Sequence, residues 1–192
     1  MKGKWLLIAM LFPALSFSQE NSAKPRFNTI ASGGIIMGQS DAKPLYQLSS
    51  GLSFDDRWFT GVGVGLDYYN LTSIPLFADF RMNFGKKRFA FVYTNTGYSF
   101  PVNNSTEIEF LKISDKYKGG FYMDAGLGYR LRINHSNHVS VSAGYSRKDI
   151  TEERVFQSPC GIVGPCYPTT HTYEYHYSFG RIVAKLSWDL MW

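Results

Sequence analysis

Two residue sets in this chain have the types and spacing of reactive groups. The first is His176 with Ser178. Residues two apart on a β-strand share a face, so the imidazole could act as general base toward the hydroxyl and make a nucleophile of it. Glu174 falls on the same face, but a working pair also needs a third group that orients the base. The second set is Cys160 and Cys166 with His171 and His176. These are zinc-ligand types at spacings that depart from the usual zinc patterns. The cysteines flank Gly-Ile-Val-Gly-Pro and are the only two in the chain. In an exported protein they are expected to form a disulfide that staples a loop, and oxidised cysteines cannot ligate.

Other sets can do electrostatic or recognition work. Asp67, Asp79, Arg81, Asp124, Arg130, Arg132, Arg181, Lys185 and Asp189 all alternate with apolar neighbours. Tyr173, Tyr175 and Tyr177 share the period of Phe179, and Tyr167 precedes them. Such a stripe can pack as cross-strand pairs or anchor a partner. No cofactor signature is present.

The elements that must position these groups show a period of two, which places successive side chains on opposite faces of a strand. Trp58, Thr60, Val62, Val64, Leu66 and Tyr68 oppose Phe59, Gly61, Gly63, Gly65 and Asp67. Ile74, Leu76, Ala78, Phe80, Met82 and Phe84 oppose Phe77, Asp79, Arg81 and Asn83. Phe121, Met123, Ala125, Leu127, Tyr129 and Leu131 oppose Tyr122, Asp124, Gly126, Gly128, Arg130 and Arg132. Val139, Val141, Ala143 and Tyr145 oppose serines and Gly144, and Ile182 to Trp192 alternates with Arg181, Lys185, Ser187 and Asp189. Residues 44–54 form another strand, with Tyr46, Leu48, Leu52 and Phe54 on one face. Residues 28–38 and 88–100 complete eight strands, but the phase of 28–38 and of 88–94 stays open because both faces carry apolar residues.

Tight turns at 55–57, 85–87 and 134–137 alternate with longer connections at 39–43, 70–73, 101–119 and 147–171. All the tight turns therefore lie at one end of an up-and-down meander. Glu107–Phe110 and Tyr173–Tyr177 still alternate, which predicts hairpins reaching beyond the main barrel.

Composition narrows the class. The 192 residues are 44% hydrophobic, 17% aromatic and only 18% charged, which excludes a disordered chain. Lys2 and Lys4, the apolar run Trp5–Leu15 and Ser16-Phe17-Ser18 have the order of a signal peptide over residues 1–18, leaving 19–192 as one domain. Without those two lysines the formal charge falls from +5 to +3. No basic run remains to make a nucleic-acid footprint, and no later segment is a membrane helix.

Alternation alone does not tell water from lipid. A solvated face should be rich in Lys and Glu, whereas here it is Gly, Ser and Asn with charges of mixed sign. That suits a narrow lumen in which opposite charges pair. The apolar face then points outward into lipid, where only a closed barrel leaves no unpaired strand edge. The fold class is all-β, an eight-stranded antiparallel up-and-down transmembrane β-barrel. Its interior is expected to be filled by side chains.

The signal peptide, the Gly-x-Gly-x-Gly strand at 61–65, the Asn95–Phe100 segment, the Asp124–Tyr129 strand and the aromatic final strand together resemble the OmpA-like and OmpX-like barrel proteins of Gram-negative bacteria. The resemblance implies an outer-membrane location, with short turns in the periplasm and long loops outside. It implies contact with outer-membrane lipid and lipopolysaccharide. It also implies that the last strand, with Gly180, Trp188, Leu190 and Trp192, carries the signal read by the barrel-assembly machinery. The His-x-Ser pair resembles that of outer-membrane lipid A deacylases. Three functions follow as expectations. The favoured one is a non-enzymatic surface or structural protein, or an accessory subunit bound to an outer-membrane protein partner. The others are a narrow channel and a lipid A-modifying enzyme.

Overall fold

The computed structural model describes residues 25–38, 41–54, 57–68, 71–85, 88–102, 105–108, 113–133, 137–157 and 170–191. They form ten strands: β1 (Arg26–Met37), β2 (Ala42–Phe54), β3 (Trp58–Tyr68), β4 (Thr72–Phe84), β5 (Ala90–Pro101), β6 (Ser105–Ile108), β7 (Ile113–Lys118), β8 (Gly120–Arg132), β9 (Asn137–Gln157) and β10 (Thr170–Met191). Eight of them close a ring in the order β1-β2-β3-β4-β5-β8-β9-β10, with β10 returning to β1. Every pairing is antiparallel, and the closing register runs from Asn28↔Met191 to Met37↔Ile182. Closure is what lets the wall stand without a bare edge along the span.

The two hairpins expected above the barrel are present. β9 pairs with β10 from Gln157↔Thr170 to Asn137↔Leu190, whereas β1 covers β10 only from Ile182 onward. The upper part of that hairpin therefore rises clear of the ring. β7 pairs with β9 over Thr151–Val155, and β6 pairs with β7. The result is a four-stranded rim sheet, β6-β7-β9-β10, continuous with the barrel wall. The connection read as 147–171 is thus largely strand, because β9 and β10 continue their ladder instead of turning at the rim.

At the opposite end the chain turns tightly. Gly85 takes φ +87° and Arg88 φ +52°, and the Arg88 N–H donates to the Gly85 carbonyl at 3.1 Å. Left-handed backbone of this kind suits glycine.

The faces divide as the period of two requires. Val62, Leu76, Leu127, Val141, Ile182 and Leu186 point outward and are exposed, while Asp67, Asp79, Asn95 and Asp124 point inward and are buried. Outward aromatics cluster toward both ends: Trp58 lies against Phe80 (ring centroids 5.4 Å) and Tyr98 against Phe100 (4.9 Å). Amphipathic rings are enriched where a bilayer meets water. The open phases resolve: Asn28, Ile30, Ser32 and Ile36 face inward on β1, as do Phe91, Tyr93, Asn95 and Ser99 on β5. The interior is consequently less polar than the strand pattern implies. Ile36, Leu45 and Val183 form an apolar layer with Phe179 packed against it, and Phe59, Phe77, Phe91, Tyr93 and Tyr122 are buried rings.

Candidate functional site: the filled lumen and the rim sheet

The lumen is built from large side chains laid over glycines of nearby strands in the wall, as Phe77 over its ladder partner Gly63. A Cβ on Gly63 would sit 2.5 Å from the Phe77 ring, and one on Gly144 would sit 2.5 Å from the Tyr93 hydroxyl. In the Gly-x-Gly-x-Gly strand, Gly63 therefore leaves space for the Phe77 ring, while a Cβ on Gly65 would meet Pro75 and backbone. Phe77 meets Tyr122 with ring centroids 5.9 Å apart.

Charged groups sit among these rings in pairs. Arg81 donates to Asp79 from Nε (3.1 Å) and Nη2 (3.0 Å), Ser49 donates to the same carboxylate at 2.7 Å, and the Asn95 amide donates at 3.1 Å. The Arg81 guanidinium lies 5.9 Å from the centroids of both Phe59 and Phe91. Lys185 binds Asp124 at 2.7 Å and lies 4.0 Å over the Tyr93 ring, while the Tyr93 hydroxyl donates to Asp124 at 3.0 Å. Gln47 joins this cluster to the aromatic layer, donating to Tyr122 at 2.7 Å and accepting from Lys185 at 3.3 Å. Arg130 meets Asp189 at 3.0 Å toward the tight-turn end. Near the rim Lys148 binds Asp67 and Ser73, and Ser99 donates to Ser73 at 2.9 Å. Buried charges demand such pairing, because each ion forfeits its hydration.

Of the nine charged residues expected in the lumen, Asp67, Asp79, Arg81, Asp124, Lys185 and Asp189 are buried there, and Arg130 and Arg181 are half-buried. Arg132 is not part of the network. It is exposed at the tight-turn end, with its Nε 3.4 Å from His138 Nε2. Its phase is that of a lumen residue, but it lies at the last position of β8, where the interior opens to solvent. Lys148 escapes the sequence reading because it falls in the span taken as a connection, yet it is completely buried.

The rim sheet holds the second cluster. Tyr173, Tyr175 and Tyr177 are exposed and follow the inward phase of Phe179, Arg181 and Val183. Tyr177 stacks on Phe179 at 6.1 Å. With Leu71, Tyr117, Ile150 and Glu152 these two residues line a pocket of about 290 Å³. Glu152 is buried and accepts from Arg154 Nε at 2.8 Å and from the Tyr117 hydroxyl at 3.4 Å. Desolvation and the Glu152 carboxylate raise the Tyr177 phenol above its ordinary pKa. Neither Glu152 nor Tyr117 stands out in the sequence, because neither belongs to a clean alternating run.

His176 Nδ1 lies 2.9 Å from Thr151 Oγ1, its partner across the β9–β10 ladder, and among the described residues no hydrogen bond joins His176 to Ser178. On the final strand Trp188 and Leu190 face outward and are exposed, and Gly180 lies beneath the Tyr145 hydroxyl. Trp192, Cys160, Cys166 and Tyr167 lie outside the described residues, as does the segment 1–18 read as a signal peptide.

Lys118 bridges β7 to Glu153 at 2.8 Å, and this pairing raises the Lys118 pKa and lowers that of Glu153. A depressed carboxylate contributes above its ordinary pKa and loses that contribution as pH falls through the depressed value. Acidification through the carboxylate range should therefore loosen β7. The readout is a lower amide protection factor in β7, taken relative to the intrinsic exchange rate at each pH, while β3 and β4 keep theirs. Lys118 is exposed and Glu153 half-buried, so added salt should weaken the tie as well.

No family model matches the chain, and no curated protein is similar to it in sequence. Among solved structures it is similar to the outer membrane protein OprG from Pseudomonas aeruginosa, with a TM-score of 0.50 at 11% identity over 91% of this chain and 98% of that one. It is also similar to the outer membrane protein AlkL determined in DMPC bilayers, with a TM-score of 0.46 at 10% identity over 91% and 93%. At such identities the likeness concerns architecture. The fold is that of an outer-membrane β-barrel.

Proposed function

We propose that this protein is a small barrel of the outer membrane that works by surface contact rather than by conduction or catalysis, in the manner of the OmpA-like and OmpX-like barrels. The observation that carries this reading is the filled lumen. Paired charges, five buried rings and an apolar layer occupy the interior along its length. What remains available is the rim sheet, with its exposed tyrosines. The tight turns would then face the periplasm and the rim sheet the exterior, with residues 1–18 as the export signal. A disulfide between Cys160 and Cys166 would staple the segment that joins β9 to β10. Partners come in two kinds, lipid and lipopolysaccharide around the apolar band, and an outer-membrane protein on the rim sheet or wall.

Planar-bilayer recording of the purified protein tests the filled lumen. The expected record shows no stepwise currents, and reproducible open-channel steps would overturn it. Extraction of the native membrane in mild detergent then separates the two forms of the contact reading. A stoichiometric outer-membrane protein that copurifies makes this chain an accessory subunit, and a lone monomer makes it a self-sufficient surface protein.

A further inference from the structure

We propose that the pocket in the rim sheet binds a small organic cation, with Glu152 as its counter-charge. The inference rests on the reading of the rim sheet as the exposed working face. The pocket is about 290 Å³, so it suits a headgroup or a small molecule rather than a macromolecule. Its walls combine three aromatic rings, Tyr117, Tyr177 and Phe179, with the aliphatic side chains of Leu71 and Ile150 and a single carboxylate. Aromatic faces carry negative potential, and several rings around one ammonium group form a recognised cage. A carboxylate inside the cage adds full charge to that preference and opposes anions.

The resident counter-ion is placed so that it can leave. The Glu152 side chain is 4% exposed and lines the pocket, whereas that of Arg154 is 42% exposed and does not. The Arg154 guanidinium also lies 5.7 Å over the Tyr175 ring, outside the pocket lining. An entering cation can take over Glu152 while Arg154 keeps its place on Tyr175. Lys148, two residues before Ile150 on the same strand, is by contrast fully buried and bound to Asp67 and Ser73. Arg154 is thus a competitor for the ligand, and this sets the central expectation.

The test is titration of the full-length protein in micelles with tetramethylammonium and with choline, at constant ionic strength, followed by tyrosine fluorescence. Sodium and glucose serve as controls. Saturable binding of both ammonium probes is expected. Glu152→Gln should weaken it at least about tenfold, since a desolvated charge pair is lost. Tyr177→Ala should weaken it about three- to tenfold by removing one cage wall. Arg154→Ala should tighten it several-fold, an effect that misfolding cannot imitate. Absence of saturable binding, undiminished binding by Glu152→Gln, or weaker binding by Arg154→Ala would overturn the proposal. Glucose binding that ignores Glu152→Gln would overturn it in favour of a neutral sugar. Labelling of the rim sheet on intact cells separates this from the broader reading. An accessible rim sheet with no ammonium binding sinks the pocket alone, whereas an inaccessible one sinks both.

Discussion

Replacement of Arg81 by alanine is expected to lower the unfolding free energy by about 3–5 kcal/mol, the usual cost of removing one partner from a buried ion pair. Arg81 is 4% exposed and, among the described residues, supplies the only charge that hydrogen bonds Asp79. Ser49 and Asn95 would remain as donors, but both are neutral. The loss should appear as a lower urea midpoint in micelles and a lower temperature for loss of the compact, heat-modifiable band on gels. Current should not appear, because Phe59 and Phe91 still fill the section around the deleted side chain. A paired variant separates charge from volume. Asp79→Leu combined with Arg81→Met should recover most of the stability, since an apolar replacement of both ions is often neutral. A midpoint unchanged in Arg81→Ala would show that the pair does not hold the barrel together.

Replacement of Gly128 by alanine is expected to cost about 1–3 kcal/mol by overpacking. A Cβ there would lie 2.2 Å from Phe91 Cζ and 2.5 Å from Cε1. The ring has nowhere to retreat. Phe91 is 1% exposed and is flanked by the Arg81 and Arg130 guanidiniums at 5.9 and 5.8 Å from its centroid. Phe91→Leu alone should also destabilise, by leaving a cavity. The double variant should be more stable than the sum of the two losses, because the smaller side chain vacates the space the new methyl needs. Strict additivity would mean that Gly128 and Phe91 do not share that space. This prediction bears on function as well as stability, because rings over glycines are what close the lumen.

Some of this architecture is local and could be read directly. The alternation in β3, β4 and β8 follows from strand geometry, which obliges neighbouring side chains to opposite faces whatever the rest of the chain does. The tight turns follow from turn chemistry in the same way, as at Gly85. These two signals sufficed for eight strands, their order and the outward apolar face. The likeness in fold to an outer-membrane barrel agrees with them. The inward acids and bases of β3, β4 and β8 were legible as a set for the same reason.

Other features needed the closed ring. β1 carries Ile30 and Ile36 on one face and Ile35 and Met37 on the other, so its period is silent about direction. β5 has the same difficulty with Phe91 and Val92. On β5 the neighbours that make room lie on the inward side: Gly128 under Phe91, and Gly144 under the Tyr93 hydroxyl. Charge pairing was decided at longer range still. Lys185 finds Asp124 across 61 residues, and Lys148 finds Asp67 across 81. Arg132, in phase with the lumen, ends up outside it because phase says nothing about height along the barrel axis. The pocket around Glu152 exists only because β7, β9 and β10 meet above the rim, drawing on Tyr117, Ile150 and Tyr177 from three strands. Sequence by itself determined what each strand exposes and where the chain turns, since both depend on a few consecutive residues. Tertiary structure decided which side chains share the interior and at what height, since that depends on the register of strands distant in the chain.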